Sequence, residues 1–205
     1  MSAIFNNASS IKQGNKLSLM SASTISGKRV SQRRGPFLYT FEVGVNVMST
    51  DSTAYSAVRS EIASMDYGLN PITTTIPTMT IDGGSWLGTP VVSGNSQTGR
   101  TLNLTGFNPS QTNVILDGDF IQLANNGKVY QAIGNYSSNS SGDVSVAINS
   151  ALVTSPVTAT TVTHGTAVTF TLAIDEADFT MEYTPKGLTS NLVSPGKFSF
   201  TEVIV

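Results

Sequence analysis

Residues 114–133, VILDGDFIQLANNGKVYQAI, constrain the fold more than any other stretch of the chain. Two strand-like runs flank Asn126-Gly127, the strongest short-range hairpin signal a sequence carries. A two-residue turn there sets Asn125 opposite Lys128, Leu123 opposite Tyr130 and Ile121 opposite Ala132. Those apolar groups share a face fit for a core. Gln122 then faces Gln131 on the other face, with Phe120 opposite Ile133, and the amides are expected to meet solvent. A one-residue slip would invert every one of these positions, so the turn decides what is buried. Asp117-Gly118 is a second turn signal upstream. The stretch specifies antiparallel β structure and carries no chemistry.

The same pattern recurs along the chain. Phe37, Tyr39, Phe41, Val43, Val45 and Val47 alternate on one strand face. Residues 101–104, TLNL, read as a short strand closed by Gly106. Val144, Val146 and Ile148 alternate, as do Val168, Phe170, Leu172 and Ile174. Phe179–Tyr183 reads as a short strand, and Phe198, Phe200 and Ile204 mark a last one. Short strands at intervals of about ten residues predict an antiparallel sandwich or barrel. One helix interrupts them: Tyr55, Val58, Ile62 and Met65 recur at helical spacing, Ser49 to Asp51 offer a cap and Gly68 a stop. It is expected over about residues 52–66, covering one face or end of a sheet, with Arg59 and Glu61 off its apolar stripe. Residues 1–27 are polar, with Ile4, Phe5, Leu17, Leu19 and Met20 as anchors. They read either as an arm that orders on a neighbour or as a first strand around Lys16 to Met20. The arm reading gives domains of 1–27 and 28–205, with a sub-boundary near 90–96.

The search for a reactive site returns isolated groups. Charged residues make up 12% of the chain, about half the usual share, and formal net charge is −2. Lys28, Arg29, Arg33 and Arg34 cluster in KRVSQRR, but no aromatic residue interleaves with them. They read as a solvated or interface-facing loop, not as a nucleic-acid site. With no cysteine and a single histidine, His164, neither a thiolate nor a multi-histidine metal site is available. His164-Gly165 reads as a turn, and no nucleophile elbow accompanies the many serines. Asp117 and Asp119 bracket Gly118, and Asp175, Glu176 and Asp178 form IDEAD. Either set could take a calcium ion, but neither follows a calcium-loop pattern. Turn and solvated-loop roles fit them better. Trp86, the only tryptophan, lies among turn signals and reads as packing. No catalytic, cofactor-binding or metal residue is assigned, and the chain is not expected to be an enzyme. No apolar run reaches the length of a membrane span, and the first residues lack the basic-then-apolar form of a secretory leader.

One resemblance emerges from the order of SQTGRTLNLTGF (96–107), VILDGDFIQLANNGKVYQAI (114–133), a polar loop with a Val-rich strand, and FSFTEVIV (198–205). This series resembles tail proteins of tailed bacteriophages, of the distal-tail or baseplate-hub type. The likeness extends in order over about residues 28–205 and is specific over 96–133 and at the C-terminal strand. Where that family carries a Pro-Pro-Leu-Arg element, this chain has Asn149-Ser150-Ala151-Leu152-Val153. The resemblance implies a structural virion protein, assembled in a host cytoplasm. Its partners would be further copies of itself in a ring, expected to be a hexamer, and other tail proteins. It implies no cofactor, no membrane insertion and no sequence-specific nucleic-acid binding. No functional residue carries over, since such a protein works through ring contacts. The alternative is a carbohydrate-binding β-sandwich module, with Trp86, Tyr130 and Tyr136 stacking on sugar rings.

Overall fold

The computed structural model describes residues 2–23, 29–175, 181–185 and 191–204. In chain order the elements are α1 (Ala3–Asn6), β1 (Ala8–Ser23), β2 (Arg29–Val45), β3 (Met48–Ser49), α2 (Thr53–Ser64), β4 (Ile72–Thr75) and β5 (Gly88–Val92). They continue with β6 (Thr101–Phe107), β7 (Phe120–Leu123), β8 (Val129–Gln131), β9 (Val144–Ala147), β10 (Val162–His164) and β11 (Thr169–Ile174). The last are β12 (Glu182–Pro185), β13 (Asn191–Ser194) and β14 (Lys197–Glu202). The protein is mainly β, with antiparallel sheets and two short α-helices, as the alternating patterns require. Two compact units form, one from Met1–Lys16, Leu38–Thr74 and Phe170–Val203, the other from Leu17–Phe37, Thr75–Thr169 and Ile204–Val205.

The first unit contains the smaller sheet β12-β13-β3 and most of the sheet β1-β2-β14-β11-β4, of which residues 17–23 of β1 and 29–37 of β2 belong to the second unit. Strand β2 buries the predicted face through Tyr39, Phe41, Val43 and Val45, while Val47 lies past the strand end and is exposed. Aromatic rings of β2 and β11, the two strands flanking β14, meet edge to face, Phe41 on Phe170 at 5.1 Å and Tyr39 on Phe170 at 5.7 Å, the geometry ring quadrupoles prefer. Helix α2 forms within the expected residues, but its N-cap is Ser52, one residue past the Ser49 to Asp51 signal, with the Ser52 hydroxyl accepting the Tyr55 N–H. It buries Tyr55, Val58 and Ile62, with Met65 at its C-cap, and so covers this unit as expected. Of the two readings for residues 1–27, the strand forms, and it runs the length of β1. Ahead of it, α1 buries Ile4 and Phe5, and Glu61 accepts the Ile4 N–H and the Ser2 hydroxyl. Glu61, off the apolar stripe of α2, therefore works as an anchor for the first turn of chain.

Residues 29–34, expected as a loop, belong to strand β2, and Lys28 lies outside the described residues. The predicted Phe179–Tyr183 strand falls partly outside them as well, and its described part belongs to β12. Gly106 does not close β6. The strand continues to Phe107, and the register against β5 shifts between Gly88 and Val91. The last strand ends at Glu202, ahead of Ile204.

The second unit contains the organising hairpin. Its six strands pair antiparallel in the cycle β5-β6-β9-β8-β7-β10, with Ala132 to Ile148 joining β8 to β9 and Val91 to Thr161 joining β10 to β5. The bonds Ile133 N–H to Ala147 O at 2.8 Å and Val92 N–H to Thr160 O at 3.0 Å seal the two joints. The sheet closes into a barrel, and its core includes Leu102, Leu104, Ile115, Ile121, Leu123, Tyr130, Val144, Val146 and Ile148. A ring of six strands leaves only enough interior for side chains, so this is a packed core and not a channel.

The hairpin forms in a different register from the predicted one. Ile121 lies opposite Tyr130, Gln122 opposite Val129 and Phe120 opposite Gln131, while Leu123 pairs with Val162 of β10. Residues 124–128 make the connection. The reason is competition for backbone groups: Ala124 N–H donates to Thr161 O, Asn126 Oδ1 accepts Lys128 N–H, and Gln122 Nε2 donates to Gly127 O. The shift is by two residues, so Ile121, Leu123 and Tyr130 keep the core face. The other face differs from expectation. All four residues of β7 are buried, and Gln122 is 8% exposed. Its amide is closed off by Thr169, donating to Thr169 O at 2.7 Å and accepting Thr169 N–H at 3.0 Å.

Candidate functional site

Four groups singled out from the sequence or adjoining those residues meet in the barrel unit: Asp82, Trp86, Asp119 and His164. The segment ahead of β5 carries Asp82, Gly83, Gly84 and Trp86, β7 is preceded by Asp119, and β10 ends at His164. Asp119 is 2% exposed. Its Oδ1 accepts Gly83 N–H at 2.6 Å, and its Oδ2 accepts Gly84 N–H at 3.0 Å, Trp86 Nε1–H at 3.0 Å and Leu116 N–H at 2.9 Å. Four donors on one carboxylate supply the compensation a buried charge demands. Gly84 is required by the approach of chain to chain, since a Cβ there would lie 2.5 Å from Val114 O.

Trp86 is then fixed at both ends. Its indole N–H is held by Asp119, and its ring stacks on the His164 imidazole, with centroids 4.3 Å apart and planes 5° from parallel. Phe107 lies at 5.8 Å on a tilted plane. His164 Nδ1 is 2.6 Å from Asp82 Oδ2, and Asp82 Oδ1 is buried without a partner among the described residues. His164 thus sits at the end of a strand and not in a turn, and the chain's only histidine stacks on its only tryptophan.

The arrangement has two elements of a nucleophile-activating triad, a carboxylate and a histidine. A hydroxyl or thiol within hydrogen-bond reach of the other ring nitrogen would be the third. Among the described residues no hydroxyl is hydrogen-bonded to His164. The dyad, the stack and the Asp119 carboxylate all act on the same object. They hold residues 82–86 against the barrel strands.

The other singled-out residues do not gather here. Asp117 is exposed, and its Oδ1 accepts Gly134 N–H at 2.7 Å, so the two carboxylates bracketing Gly118 serve different segments. Asp175 is exposed and accepts the Thr201 hydroxyl at 2.6 Å, while Glu176 and Asp178 lie outside the described residues. Among the described residues no three acidic or histidine side chains converge to hold a metal ion. Of the three aromatics considered for sugar stacking, Trp86 and Tyr130 are buried, at 5% and 0% exposure, and offer no open ring face. Tyr136 is half-buried, and its hydroxyl donates to Ile133 O and accepts Ala147 N–H. Arg59 is exposed on α2.

Sequence reasoning missed the role of Asp119, which it read beside Asp117 as a turn or calcium candidate. The available signal was the Gly83-Gly84 pair followed by Trp86, three N–H groups close in sequence with no local acceptor. No known protein family and no curated protein matches the chain.

Proposed function

We propose that the protein is a structural component of a bacteriophage tail, forming an oligomeric ring that joins the tail tube to the tip or baseplate. The observation that carries the reading is the placement of open strand edges. The six-stranded ring β5-β6-β9-β8-β7-β10, which contains the tail-like stretch 96–133, closes on itself. In the five-stranded sheet β1-β2-β14-β11-β4, β1 is an outer strand of 16 residues, of which Ala8–Lys16 belong to the first unit. A long outer strand is a template for pairing with another chain. The exposed residues of β1 include Ser9, Ser10, Gln13 and Asn15, together with Lys12, Lys16 and Leu17. The constellation at Asp82, Trp86, Asp119 and His164 supports the same reading, because its polar groups serve architecture. The six-stranded barrel is filled by side chains, so a central opening in such a ring lies between copies.

The test is the mass of the purified protein by light scattering, joined to its location in intact particles by labelled microscopy. A ring in solution and a ring of label at the tail end are the expected results. A monomer that is absent from particles overturns the proposal, and glycan-array binding by that monomer would favour a carbohydrate-binding module instead.

A further inference from the structure

Three segments of the second unit enclose a crevice of about 380 Å³. Its walls are residues 35–36 of β2, Arg100 just ahead of β6, and residues 150–153. That volume falls within the range of small-ligand sites, about 300–1,000 Å³. The walls are held in place by backbone bonds. Leu152 N–H donates to Gly99 O at 2.8 Å and Ile148 N–H to Arg100 O at 2.9 Å, which laces the turn at 99–100 to the segment beside it. Val153 N–H donates to the Tyr130 hydroxyl at 3.1 Å, and Phe37 N–H to Ser150 Oγ at 3.3 Å. A crevice tied in this way exists before a ligand arrives, which spares the ligand the cost of ordering its own site.

The lining joins carbon surface to one cation. Pro36, Ala151, Leu152 and Val153 supply the apolar part, and Val153 is 42% exposed. Ser150 is buried, with its hydroxyl engaged by Phe37 N–H and Ala151 O. Arg100 is the charged side chain of the lining. It is exposed, and among the described residues it has no carboxylate and no hydrogen-bonding side chain as a partner. A guanidinium in that state presents its planar donor fork to a carboxylate, which it binds through two parallel hydrogen bonds.

We propose that this crevice is a binding site for a small monocarboxylate with an apolar body, the carboxylate on Arg100 and the body against Pro36, Leu152 and Val153. The inference goes beyond the ring reading and does not depend on it. A phosphate ester fits less well. The N–H groups of Leu152 and Val153 are already bonded, which leaves one guanidinium to meet its higher charge. A neutral sugar also fits less well, since no aromatic ring lines the crevice for it to stack on.

The test uses the full chain with phenylacetate as the probe, titrated by saturation-transfer NMR, and neutral phenylacetamide as its isostere. The acid is expected to bind with a Kd of about 1 mM or tighter, in keeping with a small ligand in an open site. The amide is expected to bind about tenfold more weakly, because it lacks the charged pair. Arg100→Gln is expected to lose the same tenfold, roughly, and to bind acid and amide alike. Arg59→Gln, which removes an exposed arginine of α2 in the first unit, is expected to change nothing. Far-UV circular dichroism and Trp86 emission check folding, and Val153→Trp, which fills the crevice from an exposed position, replaces Arg100→Gln should that variant not fold. Three results overturn the proposal: equal binding of acid and amide to the unaltered chain, acid binding that survives in the folded variant, and no binding at about 10 mM probe. Displacement of phenylacetate by an equal concentration of inorganic phosphate overturns it in favour of a simple anion site. The ring reading is judged separately, by the mass of the assembled protein.

Discussion

Asp119→Asn keeps the shape of a buried side chain and replaces one of its two acceptor oxygens by an NH2 group. Three donors, from Gly84, Trp86 and Leu116, converge on Oδ2 and one, from Gly83, on Oδ1. The amide oxygen will therefore turn toward the three, which sets the NH2 group against Gly83 N–H. Hydrogen bonds to a charged group contribute about 1.5–3 kcal/mol each and neutral ones about 0.5–1.5 kcal/mol. Three bonds weakened by about 1 kcal/mol, and a fourth lost at an exposed glycine that water can reach, amount to roughly 4 kcal/mol. Removing the charge also removes part of the penalty for burying it. The net expectation is about 2–4 kcal/mol, a large share of a typical domain stability of about 5–15 kcal/mol. Trp86 is the only tryptophan and is bonded directly to Asp119, so its emission in a urea titration reports on the perturbed site. A double-mutant cycle with Trp86→Phe, followed by far-UV circular dichroism because the variant has no tryptophan, isolates the indole bond, with an expected coupling of about 1–2 kcal/mol. A midpoint shift equivalent to less than about 0.5 kcal/mol, the range of an ordinary surface change, would refute the assignment of Asp119 as the clamp of residues 82–86.

Leu123→Ala should destabilise the barrel unit by about 2–5 kcal/mol as a fully buried truncation. Gln122→Ala should cost a comparable 2–4 kcal/mol, roughly, because it strips partners from Thr169 and Gly127; chemical denaturation of both variants compares them, and a near-neutral Gln122→Ala would mean that this face is wet. Gly127→Val should cost roughly 1–2 kcal/mol from backbone strain alone. Its φ is +64° while a Cβ there would meet nothing within 4 Å, so Gly127→Ala stability measurements showing no loss would count against the strain. The hydrogen bond from Lys12, seconded by Lys197, holds the Glu42 carboxyl below the ordinary glutamate range. A depressed folded pKa contributes stability that is present above the unfolded value and is lost as pH falls through the folded one. Carboxyl NMR should therefore show Glu42 titrating below a free glutamate, with the difference shrinking in Lys12→Gln and at high salt, since the group is exposed and screened. A normal Glu42 midpoint at low salt would remove the pairing from solution.

The elements legible in the sequence were those whose signal is local. Helix α2 is written in one cap and one apolar stripe, and the buried face of β2 in strict alternation. Turn residues at Asn126-Gly127 placed a hairpin correctly and fixed the parity of its core face. They did not fix its register, because Ala124, Asn126 and Gln122 have partners on Thr161, Lys128, Gly127 and Thr169, and the sequence does not announce which acceptor a backbone N–H will choose. For the same reason Gln122 reads as a surface amide until β11 begins against it at Thr169. The closure of six strands into a barrel rests on two short joints, at Ala132 with Ile148 and at Val91 with Thr161, that no periodicity marks. Asp119 shows the limit most plainly. Its chemistry is ordinary and its neighbours in sequence suggest a turn, yet the donors that define its role come chiefly from residues 83–86, more than 30 positions away. Local propensity and alternation are properties of a few consecutive residues and survive in the sequence alone. Register, closure and the pairing of a buried charge depend on which distant groups are brought within hydrogen-bond reach, and only the folded chain decides that.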